Sequence, residues 1–217
     1  MTSPSAGPPA VRRATLADLD TMARTLAAAF DDDPIYNWVM RQDARRAQAM
    51  HHFFTEEVRE YLDAPGATAA GGYDATKQAW TTGTGDGVAL WSAPPGGHRL
   101  SIAELLRAAP VFLPDTGLAR LPRLLWLLHA TEAKYPRIPH WYLCVLGVGP
   151  STQGTGVGSA LVRTVLDEAD RDRLPAYVES SKERNLPFDE RHGFRVVERL
   201  DFPLRGPSLW LMWREPR

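Results

Sequence analysis

Apolar positions along this chain recur with two periods, and the changes between them mark out its elements. Val11 to Ala14 forms a first strand, and behind it Leu16, Leu19, Met22, Ala23, Leu26 and Phe30 line one face of a helix. Thr15 takes that helix's N-cap position, with Asp18 three residues on in a capping-box spacing. Asp31-Asp32-Asp33-Pro34 closes it, since the residue before a proline is pushed out of the α region. Ala47, Met50, Phe54, Val58 and Tyr61 then mark the buried side of a second helix over 44–62. Residues 63–72, rich in Ala and Gly, read as a loop, and the runs 79–82 and 88–92 flank a Gly-rich hairpin turn, Gly83 to Gly87.

Helical spacing returns near 101–109 and again over 117–134, around Leu121, Leu124, Leu125 and Leu128. Four strands follow at 141–148, 176–181, 194–202 and 208–214, and Leu161, Val165 and Ala169 place a helix over 159–173 between the first two. Strands interleaved with helices predict an α/β (α+β) sandwich around a mixed, mostly antiparallel sheet. At 217 residues this is one domain over 11–217. Residues 1–10 hold three prolines and no apolar core, so they read as a flexible N-terminus and not as a signal peptide.

Charge and composition narrow the chemistry. A formal charge of −1 gives no electrostatic reason to expect a nucleic-acid partner. A single cysteine excludes an internal disulfide and a thiolate zinc cluster, which suits a cytoplasmic protein. No run approaches the roughly 20 apolar residues of a membrane span, so no membrane partner is expected. His51 and His52 are neighbours on a helix and diverge, and no metal site is expected.

The most informative segment is Val148-Gly149-Pro150-Ser151-Thr152-Gln153-Gly154-Thr155-Gly156-Val157-Gly158-Ser159. A strand, a Gly-rich turn and a helix N-terminus in succession make an anion site, because the first-turn N–H groups lack helical partners and the dipole favours negative charge. The Walker pattern fails because Thr155 stands where Lys is required, and the dinucleotide fingerprint fails because Leu161 stands where its last Gly belongs. Gln-x-x-Gly-x-Gly does fit, as Gln153-Gly154-Thr155-Gly156-Val157-Gly158. A second signal lies downstream, where Asn185-Leu186-Pro187-Phe188 precedes Arg191-His192-Gly193-Phe194.

Together these motifs resemble the GNAT acyltransferase superfamily. Glu179-Ser180-Ser181 ahead of Asn185, Arg24 to Phe30 and Leu146-Gly147-Val148 are most similar to its puromycin N-acetyltransferase branch. The resemblance implies a GNAT fold whose central strand is splayed at an acetyl-CoA site, with acetyl-CoA as co-substrate. It implies cofactor contacts from Leu146, Gly147, Val148, Gln153, Gly154, Thr155, Gly156, Val157, Gly158, Ser159, Asn185 and Phe188. It implies a small-molecule primary amine as acceptor, an aminonucleoside or another antibiotic-like metabolite of secondary metabolism, with a monomer or homodimer as the working unit. It also implies that the helical insertion before residue 140 helps to wall the acceptor site.

Acyl transfer to an amine needs a base for the ammonium proton, donors for the oxyanion and help for the departing thiol. Glu179, on a central strand beside Tyr177, is the candidate base, and the alternative is an ion pair with Arg184 or Arg191. Asp189 stands four residues after Asn185, where the superfamily often places a Tyr acid. An ordinary Asp is ionised at neutral pH and is poorly suited to donate, so holding a cationic acceptor is the other reading. His192 follows by three residues and either forms an Asp–His unit or packs beside Phe194. Tyr36, Trp38, Trp91 and Tyr142 are candidates to line the acceptor pocket, Cys144 reads as a small core residue, and Asp31 to Asp33 are either solvated or attract the amine. Two rivals remain: a GNAT acyltransferase with another acyl or aminoacyl donor, and a catalytically silent CoA-binding module.

Overall fold

The computed structural model describes residues 10–62, 77–94 and 113–217. Its spine is a seven-stranded sheet of β1 (Val11–Arg13), β2 (Lys77–Thr82), β3 (Gly87–Ser92), β4 (Trp141–Val148), β5 (Ala176–Ser180), β6 (Arg195–Asp201) and β7 (Ser208–Arg214), in the order β1-β2-β3-β4-β5-β7-β6. Every neighbouring pair is antiparallel except β4 and β5. That parallel pair requires a crossover, and the helix Val157–Arg171 supplies it.

Helices frame the sheet, among them α1 (Leu19–Ala29), α2 (Pro34–Val39), α3 (Arg46–Leu62), α4 (Leu121–Lys134), α5 (Val157–Arg171) and α6 (Leu186–Arg191). On one face Met22 and Leu26 of α1 and Phe54 and Val58 of α3 form a core with Val88, Leu90 and Val145. On the other, Leu161, Val165 and Ala169 of α5 pack against Ala89, Trp91, Leu143 and Val178. The alternating pattern of the strands is therefore satisfied by helices on both faces, as the α/β reading requires.

Several local expectations change. Residues 16–18 form a 3₁₀ turn ahead of α1, which turns Leu16 outward to 56% exposure. Asp18 still secures the start, accepting from the Thr15 N–H at 2.8 Å and its hydroxyl at 2.9 Å. Asp31-Asp32-Asp33-Pro34 ends α1 and also begins α2, with Asp33 as N-cap and Pro34 at the first helical position, where its missing N–H costs nothing. In α3 it is Ala49 that is buried, while Ala47 is exposed. None of the residues of α4 is fully buried, and Leu125 remains 43% exposed. The expected loop at 63–72 and helix at 101–109 lie outside the described residues.

Candidate active site

The sheet opens at its centre. β4 and β5 are in register over only three pairs, Trp141 with Ala176, Tyr142 with Tyr177 and Leu143 with Val178. On the opposite edge of β4, Val145 faces Leu90 and Leu143 faces Trp91, so Cys144 is an extra residue that bulges the strand. A bulge bends its strand and re-aims the side chains beyond it. From residue 144 to 148 β4 therefore has β3 on one side and a gap towards β5 on the other.

The Gly-rich loop closes one end of this gap. Gln153 turns back so that its side-chain amide donates to the Val148 carbonyl at 3.1 Å, and the Gly149 N–H donates to the Asp86 carbonyl at 2.8 Å. Gly154 and Gly156 have φ of 78° and 93°, a region that L side chains rarely adopt, and a Cβ at either would meet nothing within 4 Å. Backbone strain, together with open space beside the loop, thus explains both glycines. Gly158 differs: a Cβ there would meet the Phe188 ring at 3.4 Å, an ordinary contact between α5 and α6. The helix begins at Val157, two residues earlier than its apolar spacing indicates, with Gly156 as N-cap. Its first backbone bond runs from the Ala160 N–H to the Gly156 carbonyl, leaving the N–H groups of Val157, Gly158 and Ser159 to face the bay. Three donors, a dipole and a bay free of side chains fit a pyrophosphate.

Glu179 lies on β5 just past the last register pair with β4. It accepts from the Tyr177 hydroxyl at 3.0 Å and from Tyr142, while burial pushes its carboxyl up to about 7. Tyr142 and Tyr177 lie against each other with centroids 5.5 Å apart and rings tilted by 36°, and Tyr135 meets both edge-on. The alternative, an ion pair of Glu179 with Arg184 or Arg191, is not formed; Arg184 pairs with Asp32 instead.

Asp189 is 6% exposed, accepts from Ser180, and is pushed up by burial to about 6. Its backbone carbonyl takes the N–H groups of His192 and Phe194 at 3.0 and 3.2 Å. The Asp–His unit suggested by the spacing does not form: His192 Nδ1 bonds the Phe188 carbonyl at 2.9 Å, and its ring lies 4.6 Å from that of Phe188. Burial lowers the His192 pKa, so the ring is neutral at neutral pH. Asn185 is exposed at the end of a 3₁₀ turn that leads into α6.

One of the aromatic candidates falls elsewhere. Trp91 is fully buried against α5, because the β3 alternation that exposes one face to α3 turns Trp91 to the other. Trp38 is 6% exposed, stacks on Phe202 at 5.4 Å and belongs to the same core cluster as Tyr177. Tyr36 joins Phe30, Phe53 and Phe54 in an aromatic cluster, and Tyr142 flanks Glu179. Tyr61 was not anticipated at the strand bulge: its hydroxyl donates to Cys144 Sγ at 2.7 Å and lies 3.3 Å from Ser92 Oγ. Cys144 is thus a bonded member of the bulge, and burial pushes its thiol up to about 12, which leaves it inert as a nucleophile.

Asp31 and Asp32 of the acidic triplet are exposed but paired, and Asp33 is buried. Asp33 is fully buried, accepts from the Ile35 and Tyr36 N–H groups at 2.9 and 3.2 Å, and takes the Ser181 hydroxyl. Asp32 pairs with Lys182 and Arg184, and Asp31 with Arg46. The turn between α1 and α2 is thereby fastened to the segment between β5 and α6.

Comparison with known proteins agrees with this geometry. Residues 125–194, which span the splayed strand, the loop and Asn185, match the acetyltransferase (GNAT) family model. The chain is an acyltransferase of the GNAT fold. An uncharacterized N-acetyltransferase of Schizosaccharomyces pombe is 29% identical over 95% of this chain and 83% of that protein. A crystal structure described as histone acetyltransferase HPA2 and related acetyltransferase, from Corynebacterium glutamicum, superposes with a TM-score of 0.67 at 24% identity, covering 97% of each chain. The PaiA N-acetyltransferase of Thermoplasma acidophilum, solved with coenzyme A, gives 0.52 at 11% identity over 95% of this chain and 98% of that one. GNAT enzymes use acetyl-CoA, and no helix among the described residues is long and apolar enough to cross a membrane.

Proposed function

We propose that this GNAT protein transfers the acetyl group of acetyl-CoA directly to a primary amine of a small molecule, with Glu179 as general base. The observation that carries the reading is a partly buried carboxylate, pushed up to about 7 and held by two tyrosines, at the point where β4 and β5 part. A carboxylate at about 7 is half ionised near neutral pH and is matched to accept a proton from an ammonium.

The loop N–H groups and the α5 N-terminus hold the pyrophosphate, and Asn185 and Phe188 flank the pantetheine arm. The acyl carbon then lies in the gap beside 144–148, where those backbone N–H groups that point away from β3 stabilise the developing oxyanion. The amine nitrogen, once Glu179 has taken its proton, bonds to the carbonyl carbon. The carbon–sulfur bond breaks as the carbonyl reforms, the thiolate leaves with the electron pair, and the nitrogen gives its second proton to water. Asp189 is roughly nine-tenths ionised at pH 7 with a pKa of about 6, which makes it a poor proton donor. It acts as a positioning residue that clamps α6 onto β5 through Ser180. The thiolate takes its proton from water, and His192 supports Phe188.

An aminonucleoside or other antibiotic-like amine is the acceptor class that the puromycin-branch resemblance supports. The test is free-thiol release from acetyl-CoA against a panel of primary amines that includes puromycin. Turnover with puromycin supports both levels of the reading. Turnover with other amines alone restricts it to N-acetyl transfer, and coenzyme A binding without any turnover refutes it.

A further inference from the structure

Glu57 lies on α3 one turn before Tyr61 and one turn after Phe53, on the side of the helix that faces the sheet. It is partly buried and has no hydrogen-bond or ion-pair partner among the described residues. The nearest available cation is already engaged: Lys77 pairs with Glu60 and lies over the Tyr61 ring at 5.3 Å. The negative charge of Glu57 is felt at Tyr36, Tyr61 and Cys144, so its carboxylate lies among the residues that line the strand bulge. Burial and the like charge of Glu60 push its carboxyl up to about 7, against the pull of Lys77.

The topology relates this group to Glu179. Tyr61 reaches Ser92 on β3 and Cys144 on β4, while Glu179 sits on β5. β3 and β5 flank β4, two strand spacings apart, or roughly 10 Å. A carboxylate without a cation in a partly dry site takes up a proton instead, and a cation that joins it favours the ionised form. Glu179 is occupied with the amine that reacts, so a second basic group on the acceptor is the cation placed to join Glu57.

We propose that Glu57 is a second anionic point of the acceptor site and that the acceptor carries a second cationic group beyond the amine that is acylated. The inference rests on the acetyl-transfer reading and adds a substrate class to it: diamines and amines with a second basic centre. Glu57 sets specificity and takes no part in the proton transfer.

The test compares straight-chain diamines, from diaminopropane to diaminohexane, with the monoamines of equal length, in wild type, Glu57→Gln and Glu57→Asp. Wild type prefers a diamine over its monoamine by at least about tenfold in kcat/KM, the factor equivalent to 1.4 kcal/mol. In Glu57→Gln that preference collapses to within about twofold, through a rise in the diamine KM that exceeds any change in kcat. Glu57→Asp withdraws the carboxylate by one methylene and moves the preferred diamine to a longer one. Equal use of diamines and monoamines by wild type, or a preference that survives Glu57→Gln, overturns the proposal. If no amine is acylated while coenzyme A still binds, the acetyl-transfer reading fails separately. The Glu57 assignment is then read by calorimetry on the CoA-loaded protein. Diamine binding that is tighter than monoamine binding, and weakened in Glu57→Gln, supports it; equal binding of the two overturns it.

Discussion

Glu179→Gln removes one ionisation while leaving side-chain volume and an oxygen for the Tyr177 hydroxyl. If Glu179 is the base, the variant loses about 10²–10⁴ in kcat, the usual contribution of a positioned proton acceptor. The wild-type rate rises tenfold per pH unit below about 7, where the carboxyl is protonated, and levels above it; the variant lacks that limb. A second consequence concerns stability and has the opposite sign. The fold holds this carboxyl at about 7 against an ordinary 4.5, so it favours the neutral form. Its stabilising contribution is complete below 4.5 and is lost as pH climbs through 7. At 1.36 kcal/mol per pH unit the penalty above pH 7 reaches about 3 kcal/mol. Glutamine carries no charge, so Glu179→Gln is more stable than wild type at pH 8 by up to that amount. The two proteins converge below pH 4.5. Urea unfolding at pH 4.5, 6, 7 and 8, run beside steady-state kinetics, reads both effects. A variant that is inactive but gains nothing at pH 8, or one that keeps the rising pH limb, refutes the reasoning.

The remaining predictions test the parts around it. Gly156→Val places a β-branched residue at a φ of 93° in the helix N-cap; coenzyme A affinity by calorimetry falls more than about tenfold while the far-ultraviolet circular dichroism is retained. Asp189→Asn keeps the acceptor for Ser180, so kcat stays within about threefold, whereas Asp189→Ala raises the acetyl-CoA KM; a hundredfold loss of kcat in the Asn variant would restore a proton-transfer role. Asp33→Ala removes the α2 cap and leaves the Ser181 hydroxyl without its acceptor, costing about 2–3 kcal/mol by urea unfolding. Ser181→Ala costs less, since Asp33 keeps its two backbone donors.

What the chain displays openly is the half that depends on local rules. The apolar run of β4, the positive-φ glycines and the amphipathic α5 each follow from backbone sterics or a fixed period, and their sequence reading matches the structure closely. What it conceals depends on which face meets which neighbour. Alternation along β3 places Trp91 and Leu90 on opposite faces without saying which of them meets α5. Asp33-Pro34 reads equally as the end of one helix and the start of another, and only the fold shows that it is both. Tyr61 and Cys144 stand 83 residues apart, so no spacing could have joined them. Glu57 did leave a signal, a charge one turn from Phe53 and from Tyr61 on an otherwise apolar face.

The three-pair seam between β4 and β5 also divides the chain in order. Every strand from β1 to β4 precedes the Gly-rich loop, and every strand from β5 to β7 follows it. The two lobes of the sheet are therefore two consecutive stretches of polypeptide, and in the proposed complex the donor's thioester lies on the border between them. In hydrogen exchange the amides of 141–143 belong to the slow set, while those of 144–148 that point across the seam exchange freely until a ligand spans it. Coenzyme A then acts as mortar as well as reagent, making one continuous wall from two halves that the backbone alone leaves ajar.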